Sequence, residues 1–275
     1  MTDAKEPRTT TTLRVFVDGT AFWAPTLPGW DIARAAFIGD VVAVDPPLKR
    51  PSPDLLAPAE RRRAPDSVAL ALEVASAAAR DADRDPTTLA SVFTSAHGDL
   101  AVNDYMCTTL ATAPTQLSPT RFHNSVHNAA SGYWTIGTGC HATSTALTAF
   151  DCSFAAGLLE AATQCAAGGE AVLLVAFDVQ AVGALSTVTT SDGLLAAALV
   201  LVPQRGPRTR AGFELTLQSG PAEPVALRSP AARALAGNAM ADALPLFEAL
   251  AGRAQATLAL PLSASLALRL VPIPD

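Results

Sequence analysis

The segment that decides the fold runs from Tyr133 to Ser144 and reads YWTIGTGCHATS. Its first part is rich in β-branched and aromatic residues, which favour a strand, and its glycines then indicate a tight turn. Cys140 follows that turn, and the alanine-rich stretch 142–166 predicts a long buried helix beginning beside it. A thiol at a helix start lies near unpaired backbone N–H groups, which stabilise the thiolate. The segment therefore predicts a strand, a turn and a cysteine that could act as a covalent nucleophile.

The histidines do not supply an obvious base for this thiol. His141 is the last histidine of the chain, and at a helix start its side chain diverges from that of Cys140 by about 100°. His97 follows a predicted strand and is interpreted as a turn residue. His123 and His127 are four residues apart, but a metal site needs a third ligand, and the sequence offers none. We therefore predict no bound metal and no cofactor.

Composition bounds the class of protein. The chain has 275 residues, of which 49% are hydrophobic and 16% are charged, and this is enough for a buried core in one or two domains. The net charge of −6 argues against nucleic acid or an anionic membrane as a partner. The compact basic triplet 61–63 could meet an acidic carrier protein, although a solvated helix end is the plainer interpretation.

The sequence also predicts a cytoplasmic location. No apolar run reaches the roughly 20 residues of a membrane span, and the first residues lack the apolar stretch of a signal peptide. The four cysteines show neither CxxC pairing nor metal-ligand spacing. We therefore expect them to be free thiols in a reducing compartment.

Alternating patterns predict one layered α/β domain at residues 13–275, preceded by a disordered segment at residues 1–12. Strands are predicted at residues 13–19, 89–95, 171–177, 194–202, 213–218 and 257–270. Helices are predicted at residues 64–83, 104–112, 142–166 and 239–251. Gly168-Gly169 should end the central helix at a left-handed cap, and residues 24–65 should be mostly irregular, with short helical pieces.

In this order, these segments resemble the β-ketoacyl synthase family of the thiolase superfamily. The family's nucleophile motif is Thr-Ala-Cys, and Thr138-Gly139-Cys140 resembles it. The residues that resemble the interface segment preceding that motif are Ser118-Pro119, Phe122, Ser125, Asn128 and Gly132. The further matching segments are Leu13 to Gly19, Gly168 to Ala171, and Asp192-Gly193. The resemblance implies a thiolase-like layered fold, truncated to the N-terminal half plus a short C-terminal helix and strand.

The departures from the family pattern limit the chemistry that can be expected. The family's two catalytic histidines belong to His-Gly-Thr-Gly-Thr and Asn-Ser-Phe-Gly-Phe-Gly-Gly motifs, and neither motif occurs in this sequence. The chain therefore resembles the chain-length-factor subunits of aryl polyene-type ketosynthase heterodimers. In that interpretation Cys140 is vestigial. The residues expected at the acyl tunnel or the interface are Phe122, His123, Val126, His127, Asn128, Trp134 and His141.

Three functions remain open at this stage. The first is a non-catalytic subunit that pairs with a full β-ketoacyl synthase, meets an acyl carrier protein through that complex, and shapes the acyl tunnel. The second is a stand-alone cysteine acyltransferase or thioesterase that uses Cys140, with His97 or His123 as base. The third is a homodimeric scaffold without acyl chemistry. Exposed apolar surface at the interface segment is expected for the first and the third.

Overall fold

The structure is a computed structural model and describes residues 11–40 and 44–274. Its strands are β1 Leu13–Ala24, β2 Leu27–Pro28, β3 Ala90–Thr94, β4 Ser144–Leu147, β5 Val172–Asp178, β6 Leu195–Val202, β7 Ala211–Ser219, β8 Leu258–Ser263 and β9 Leu266–Pro272. Its α-helices are α1 Trp30–Phe37, α2 Pro58–Arg63, α3 Asp66–Asp81, α4 Leu100–Thr112, α5 Pro119–His123, α6 Ala129–Thr138, α7 Ser153–Gly168, α8 Pro230–Arg233 and α9 Leu244–Gly252. Short 3-10 turns include Phe150–Cys152, Gly183–Thr187 and Ala241–Ala243.

The strands form one mixed sheet in the order β4-β3-β5-β6-β1-β7-β9-β8, with β2 paired to β1. β3 is parallel to both β4 and β5, whereas the remaining neighbours are antiparallel. β4 is therefore an edge strand, and one of its two hydrogen-bonding sides is unpaired within the described chain.

Both faces of the sheet are covered, and alternation along the strands assigns side chains to the two faces. On β5, Leu174 packs with α7 and α9, whereas Leu173 and Val175 pack with α3 and α6. Every residue of β5 and β6 is buried. The predicted continuous apolar strand with helices on both sides is therefore confirmed.

The central helix is real, but its predicted start is wrong. It begins at Ser153 rather than at residue 142, and the residues between them form β4 and a short turn. α7 approaches the sheet closely at Gly157, where an added Cβ would lie 2.7 Å from Thr94 Cγ2. The helix ends at Gly169, whose φ of 70° is the predicted left-handed cap.

The predictions for the outer elements need smaller corrections. The helix predicted at residues 64–83 is observed as α3, and the one predicted at 104–112 starts earlier, at Leu100. The single strand predicted at 257–270 is a hairpin of β8 and β9. The predicted helix at 239–251 is a 3-10 turn followed by α9.

Most of the predicted disordered segment, residues 1–10, lies outside the described residues. In the described part of the chain, no helix is both long and apolar enough to cross a membrane. All four cysteines are free thiols, as expected.

Candidate functional site

The strand-turn-helix geometry predicted for Cys140 occurs ten residues later, at Phe150. β4 ends at Leu147, Thr148-Ala149-Phe150 turns the chain, and α7 follows. Phe150 has a φ of 49°, in the left-handed region that bulky residues rarely adopt. Such backbone strain is concentrated at functional sites. We call the turn from Thr148 to Phe150 the elbow.

Hydrogen bonds hold the elbow in this conformation. Ser153 Oγ donates to the Phe150 carbonyl oxygen at 2.7 Å and accepts from the Ala149 N–H at 3.0 Å. Thr148 Oγ1 donates to the carbonyl oxygen of Ala96, at the end of the neighbouring β3 segment, at 3.0 Å. The first residues of α7 therefore fix the turn from which Phe150 projects.

The third position of the elbow holds a phenyl ring where the family motif has a thiol. Thr148-Ala149 matches the first two residues of Thr-Ala-Cys, and the residue that follows is Phe150. Its side chain is largely solvent-exposed in this chain. A phenyl ring cannot accept an acyl group, so the third position of the elbow offers no nucleophile.

His97 is the histidine that packs against the elbow. Its ring packs edge-on against Phe150, with the ring centroids 6.4 Å apart, and its Nε2 is hydrogen-bonded to Thr189 Oγ1 at 2.7 Å. Partial burial lowers the pKa of His97, and the carboxylate of Asp151 opposes that shift. The neutral imidazole is therefore favoured, next to an aromatic ring that has no proton to transfer.

A buried carboxyl group positions His97. Asp178 is fully buried and accepts hydrogen bonds from Ser95 Oγ at 2.8 Å, from the Ala96 N–H at 2.8 Å and from the His97 N–H at 3.2 Å. Burial raises the pKa of Asp178 to about 6, although these hydrogen bonds oppose the rise. This residue ties the end of β5 to the turn after β3 and therefore has a structural role.

A second carboxyl group occupies the start of α7. Asp242 Oδ2 accepts the Phe154 N–H at 3.1 Å, and burial raises the pKa of Asp242 to about 8. Its buried Oδ1 has no hydrogen-bond partner among the described residues. The helix start, which would stabilise an anion in an active enzyme, is therefore already occupied by a side chain of the protein.

Cys152 is the cysteine that does lie at the start of α7, and its surroundings disfavour a thiolate. Burial raises the pKa of Cys152, and the nearby carboxyl groups of Asp242 and Asp151 raise it further. An activated thiol needs the opposite arrangement, with positive charge nearby. Cys152 therefore does not replace the missing nucleophile.

The predicted position of Cys140 is wrong because the segment before it forms a helix rather than a strand. Cys140 follows α6, whose left-handed C-cap is Gly139, and it precedes β4. The thiol is buried and donates a hydrogen bond to the Leu89 carbonyl oxygen, with Sγ and O 3.4 Å apart. It therefore lies near the C-terminus of a helix and not at the start of one.

The hypothesis that His97 acts as a base for Cys140 is also wrong. Leu89, the partner of Cys140, precedes β3, whereas His97 follows that strand. At about 3.3 Å per residue, the strand alone separates these two ends by roughly 16 Å. His123, the other candidate base, lies beside Tyr133, with ring centroids 6.2 Å apart.

Trp134 cannot face a partner, because it is buried in the core of its own chain. Its side chain is 1% exposed and packs in the cluster formed by α3, α6 and the sheet. The reason is helical spacing: Ala130 and Trp134 are four residues apart on α6 and share the face that packs on α3. The interface prediction for Trp134 is therefore wrong.

The other predicted interface residues are accessible. Phe122, His123, Val126, Asn128 and His141 are exposed. His127 is half-buried, and its Nε2 is hydrogen-bonded to the Ser95 carbonyl oxygen at 3.0 Å. The turn between α5 and α6 is therefore joined to the same end of β3 that carries His97. Within the described residues, no group of three potential ligands could hold a metal ion.

The site residues missed from the sequence are Phe150, Asp178 and Asp242. The sequence contains a signal for Phe150, since Thr148-Ala149 repeats two residues of the family motif shortly before an apolar helix. Because this signal contains no cysteine, a prediction based on the cysteines misses it. The two carboxyl groups carry no sequence signal, because only the fold brings residue 242 to the start of α7.

The sequence was also compared with known proteins. The family described as β-ketoacyl synthase, N-terminal domain, matches residues 42–261. None of the curated proteins matches the sequence significantly.

Solved structures share the fold. A chain of the complex of ketosynthase ApeO with its chain length factor ApeC from Xenorhabdus doucetiae is 23% identical, with a TM-score of 0.73 over 94% of this chain and 99% of that one. A chain of the ishigamide ketosynthase/chain length factor is 16% identical, with a TM-score of 0.69 over 95% and 100%. A β-ketoacyl synthase from Burkholderia phymatum STM815 is 14% identical, with a TM-score of 0.59 over 77% of this chain and 65% of that one. The predicted thiolase-like fold, truncated relative to a full synthase, is therefore confirmed.

Proposed function

This chain belongs to the β-ketoacyl synthase N-terminal domain family, and we propose that it is a non-catalytic, chain-length-factor-like subunit of a ketosynthase heterodimer. The observation that carries the proposal is the elbow, where Phe150 stands in the nucleophile position. A condensing site on such a chain lacks its covalent acyl acceptor. The working cysteine and both histidines would come from a full β-ketoacyl synthase.

The structural neighbours support this assignment. Two of them are described as ketosynthases together with chain length factors, and this chain aligns with nearly the full length of the matched chain in each. A third is described as a type II polyketide acyl-carrier protein in complex with its ketosynthase. We infer that an acyl carrier protein reaches this subunit through the heterodimer, in polyketide or fatty-acid-type elongation such as the aryl polyene pathways. The four free thiols agree with a cytoplasmic location.

An open edge and apolar side chains provide the pairing surface. β4 has one unpaired side, and an extended edge is a template for a second strand. Phe122, Val126, Ile136 and Phe150 are each more than half exposed. We call β4 together with these four side chains the edge surface. We propose that these side chains and β4 form one patch, since large exposed apolar patches mark association sites. In thiolase-family dimers the strand before the nucleophile forms the contact.

The proposed lack of acyl chemistry is tested directly by intact-protein mass spectrometry. We expect an activated acyl thioester to leave the mass of the Cys107→Ser chain unchanged, because Phe150 has no acceptor atom and Cys140 is buried. Cys107 is replaced because it is an exposed free thiol that reacts without a catalytic site. In the same reaction the partner synthase should gain one acyl group. An acyl adduct on this chain, removed by Cys140→Ala, would instead support the stand-alone acyltransferase or thioesterase.

The proposed tunnel role predicts that product length follows side-chain volume on the edge surface. Phe122→Ala should lengthen the carrier-bound products of the reconstituted pair, and Val126→Phe should shorten them. Packed walls act by excluded volume and yield little without strain, so each change should shift the dominant length by about one extension unit. Mass spectrometry of the carrier-bound acyl chains provides the measurement.

Leu217→Ala is the matched control for the tunnel variants. Leu217 is a similarly exposed apolar residue, but it lies on β7, away from the edge surface. It should leave the length distribution unchanged. Equal distributions for wild type, Phe122→Ala and Val126→Phe at a preserved rate would remove the tunnel role and leave only a scaffolding one.

A further inference from the structure

A cleft whose lining contains no residue of the elbow has no part in the function proposed above. Its volume is about 530 Å³, within the usual range for small-molecule sites. The first turns of α3 and α4, helix α5, and the chain segments beside β5 and β6 form its walls. Two helices of more than eight residues therefore begin at this cleft, and a helix start carries partial positive charge.

The cleft is positively charged on an otherwise acidic protein. Four cationic side chains line it, against two acidic ones, whereas the whole chain has a net charge of −6. The four are Lys49, Arg50, Arg63 and Arg121. Clustered cations in a concave surface attract anions and raise their local concentration. The distribution of charge therefore points to an anionic ligand.

The acidic side chains of the cleft are engaged by the protein itself. Asp99 accepts hydrogen bonds from Ser67 Oγ at 2.8 Å and from the Val102 N–H at 2.9 Å. Asp66 pairs with Arg50 at 3.0 Å. These contacts hold the carboxylates in the wall but do not cancel their charge. With four cationic and two acidic side chains, the lining has a cationic excess of two.

The remaining cations are available to a ligand. Lys49 and Arg63 are exposed, and neither makes a hydrogen bond or an ion pair with another described residue. Arg121 stacks on the ring of Tyr105, with its guanidinium carbon 3.9 Å from the ring centroid. Stacking orients the guanidinium but leaves its N–H groups free to bind an oxyanion.

A buried amide provides the second, independent sign of a ligand. Asn124 lines the cleft and is 5% exposed, and its Oδ1 has no hydrogen-bond partner among the described residues. A buried polar atom without a partner is costly. Rotation of the amide would offer a ligand either an N–H donor or an oxygen acceptor.

We propose that this cleft binds a phosphate ester. The phosphate would lie between Arg63, Arg121 and Lys49, where guanidinium groups bind phosphate oxygens well. The amide of Asn124 would bind a polar group of the ligand next to the phosphate. The apolar wall formed by Val102, Val179, Val182 and Leu194 would hold the organic part. No residue of the edge surface lines the cleft, but Arg121 and Asn124 flank Phe122 in the chain, so binding is tested on this chain without its partner.

Calorimetric titration of the full chain with phenyl phosphate tests the proposal, with phenol as the uncharged control. We expect phenyl phosphate to bind and phenol not to bind. Arg63→Gln should weaken binding about tenfold, the usual effect of losing one charged hydrogen bond. Arg62→Gln is the matched control, since Arg62 is the exposed neighbour that does not line the cleft, and it should bind as wild type does.

The source of the phosphate is distinguished by a second titration. A phosphopantetheinylated acyl carrier protein is compared with its unmodified form, because the ester could be carried on an acidic protein. Binding of phenyl phosphate that depends on Arg63 supports a free ester. If only the modified carrier binds, and Arg63→Gln weakens its binding, the result supports a cleft that binds an ester carried on a protein. Binding of neither probe, or equal losses in Arg62→Gln and Arg63→Gln, would overturn the proposal.

Discussion

Replacing Ala146 with proline should leave this chain folded and weaken its pairing with the ketosynthase by about 100-fold. The carbonyl oxygens of Thr143, just before β4, and Leu147, its last residue, accept hydrogen bonds from the N–H groups of Ser91 and Ser95. Because a strand alternates its hydrogen-bonding sides, the N–H of Ala146 points to the open edge. Proline removes that donor and places its ring in the path of an added strand. A 100-fold loss of affinity corresponds to about 2.8 kcal/mol. On an edge strand proline leaves the inner ladder intact.

Ala146→Ser is the control, because it keeps the N–H and changes little volume. Dissociation constants from surface-bound synthase give the measurement, and circular dichroism checks the fold of each variant. Unchanged affinity of Ala146→Pro would show that the edge of β4 takes no part in pairing. If the wild-type chain instead forms a dimer with itself that Ala146→Pro dissolves, the homodimeric scaffold becomes the better interpretation.

The interior of the fold could be predicted because local pattern and tertiary environment agree there. β5 and β6 are apolar at every position or nearly so, and the structure buries them on both faces. The glycine pair after α7 ends the helix where only a left-handed residue fits easily, as the φ of Gly169 shows. For these segments one interpretation satisfies propensity, burial and capping together.

The region around Cys140 could not be predicted because tertiary packing overrides propensity there. Tyr133 to Ile136 favours a strand by composition, yet these residues lie in α6, which buries Ala130 and Trp134 against α3. β4 is a short edge strand of small residues, with little hydrophobic alternation to mark it. The apolar run after residue 142 therefore suggested one long helix where the structure has a strand, a turn and a shorter helix.

The same error displaced the candidate nucleophile by ten residues. With the strand moved to β4, the elbow falls at Phe150 and Cys140 becomes a buried thiol at the opposite end of β3. The functional conclusion did not depend on that assignment, because it rested on the missing histidine motifs. The structure adds a second reason for the proposal, the exposed phenyl ring of Phe150 at the elbow.

The wild-type protein should lose roughly 1 to 2 kcal/mol of unfolding free energy between pH 6.5 and 8, and Asp242→Asn should not. Burial raises the pKa of Asp242 to about 8 in the folded chain, whereas an unfolded aspartate titrates near 3.9. Between those values the unfolded chain has released the proton and the folded chain retains it. Stability therefore falls as pH rises, by up to about 1.4 kcal/mol per pH unit, until the folded group also ionises near pH 8.

The interval from pH 6.5 to 8 isolates this group from the other shifted ones. Asp178, which faces Asp242, has its pKa raised to about 6, so its effect is largely complete below the interval. The pKa of His97 is lowered from 6.5, so its effect ends near the lower limit of the interval, has the opposite sign, and is the same in the wild type and in Asp242→Asn. Burial raises the pKa of the Cys152 thiol from 9, so that group acts above it.

Urea unfolding at half-unit pH steps, followed by circular dichroism, measures the effect. Asp151→Asn is the matched control, because Asp151 is an exposed carboxylate in the turn just before α7. That variant should lose stability with pH as the wild type does. Parallel curves for wild type and Asp242→Asn would mean that the carboxyl group is already ionised in the folded chain at pH 6.5. A flat curve for Asp242→Asn alone would show that the start of α7 holds a protonated acid, a hydrogen-bonding cap in place of a catalytic anion site.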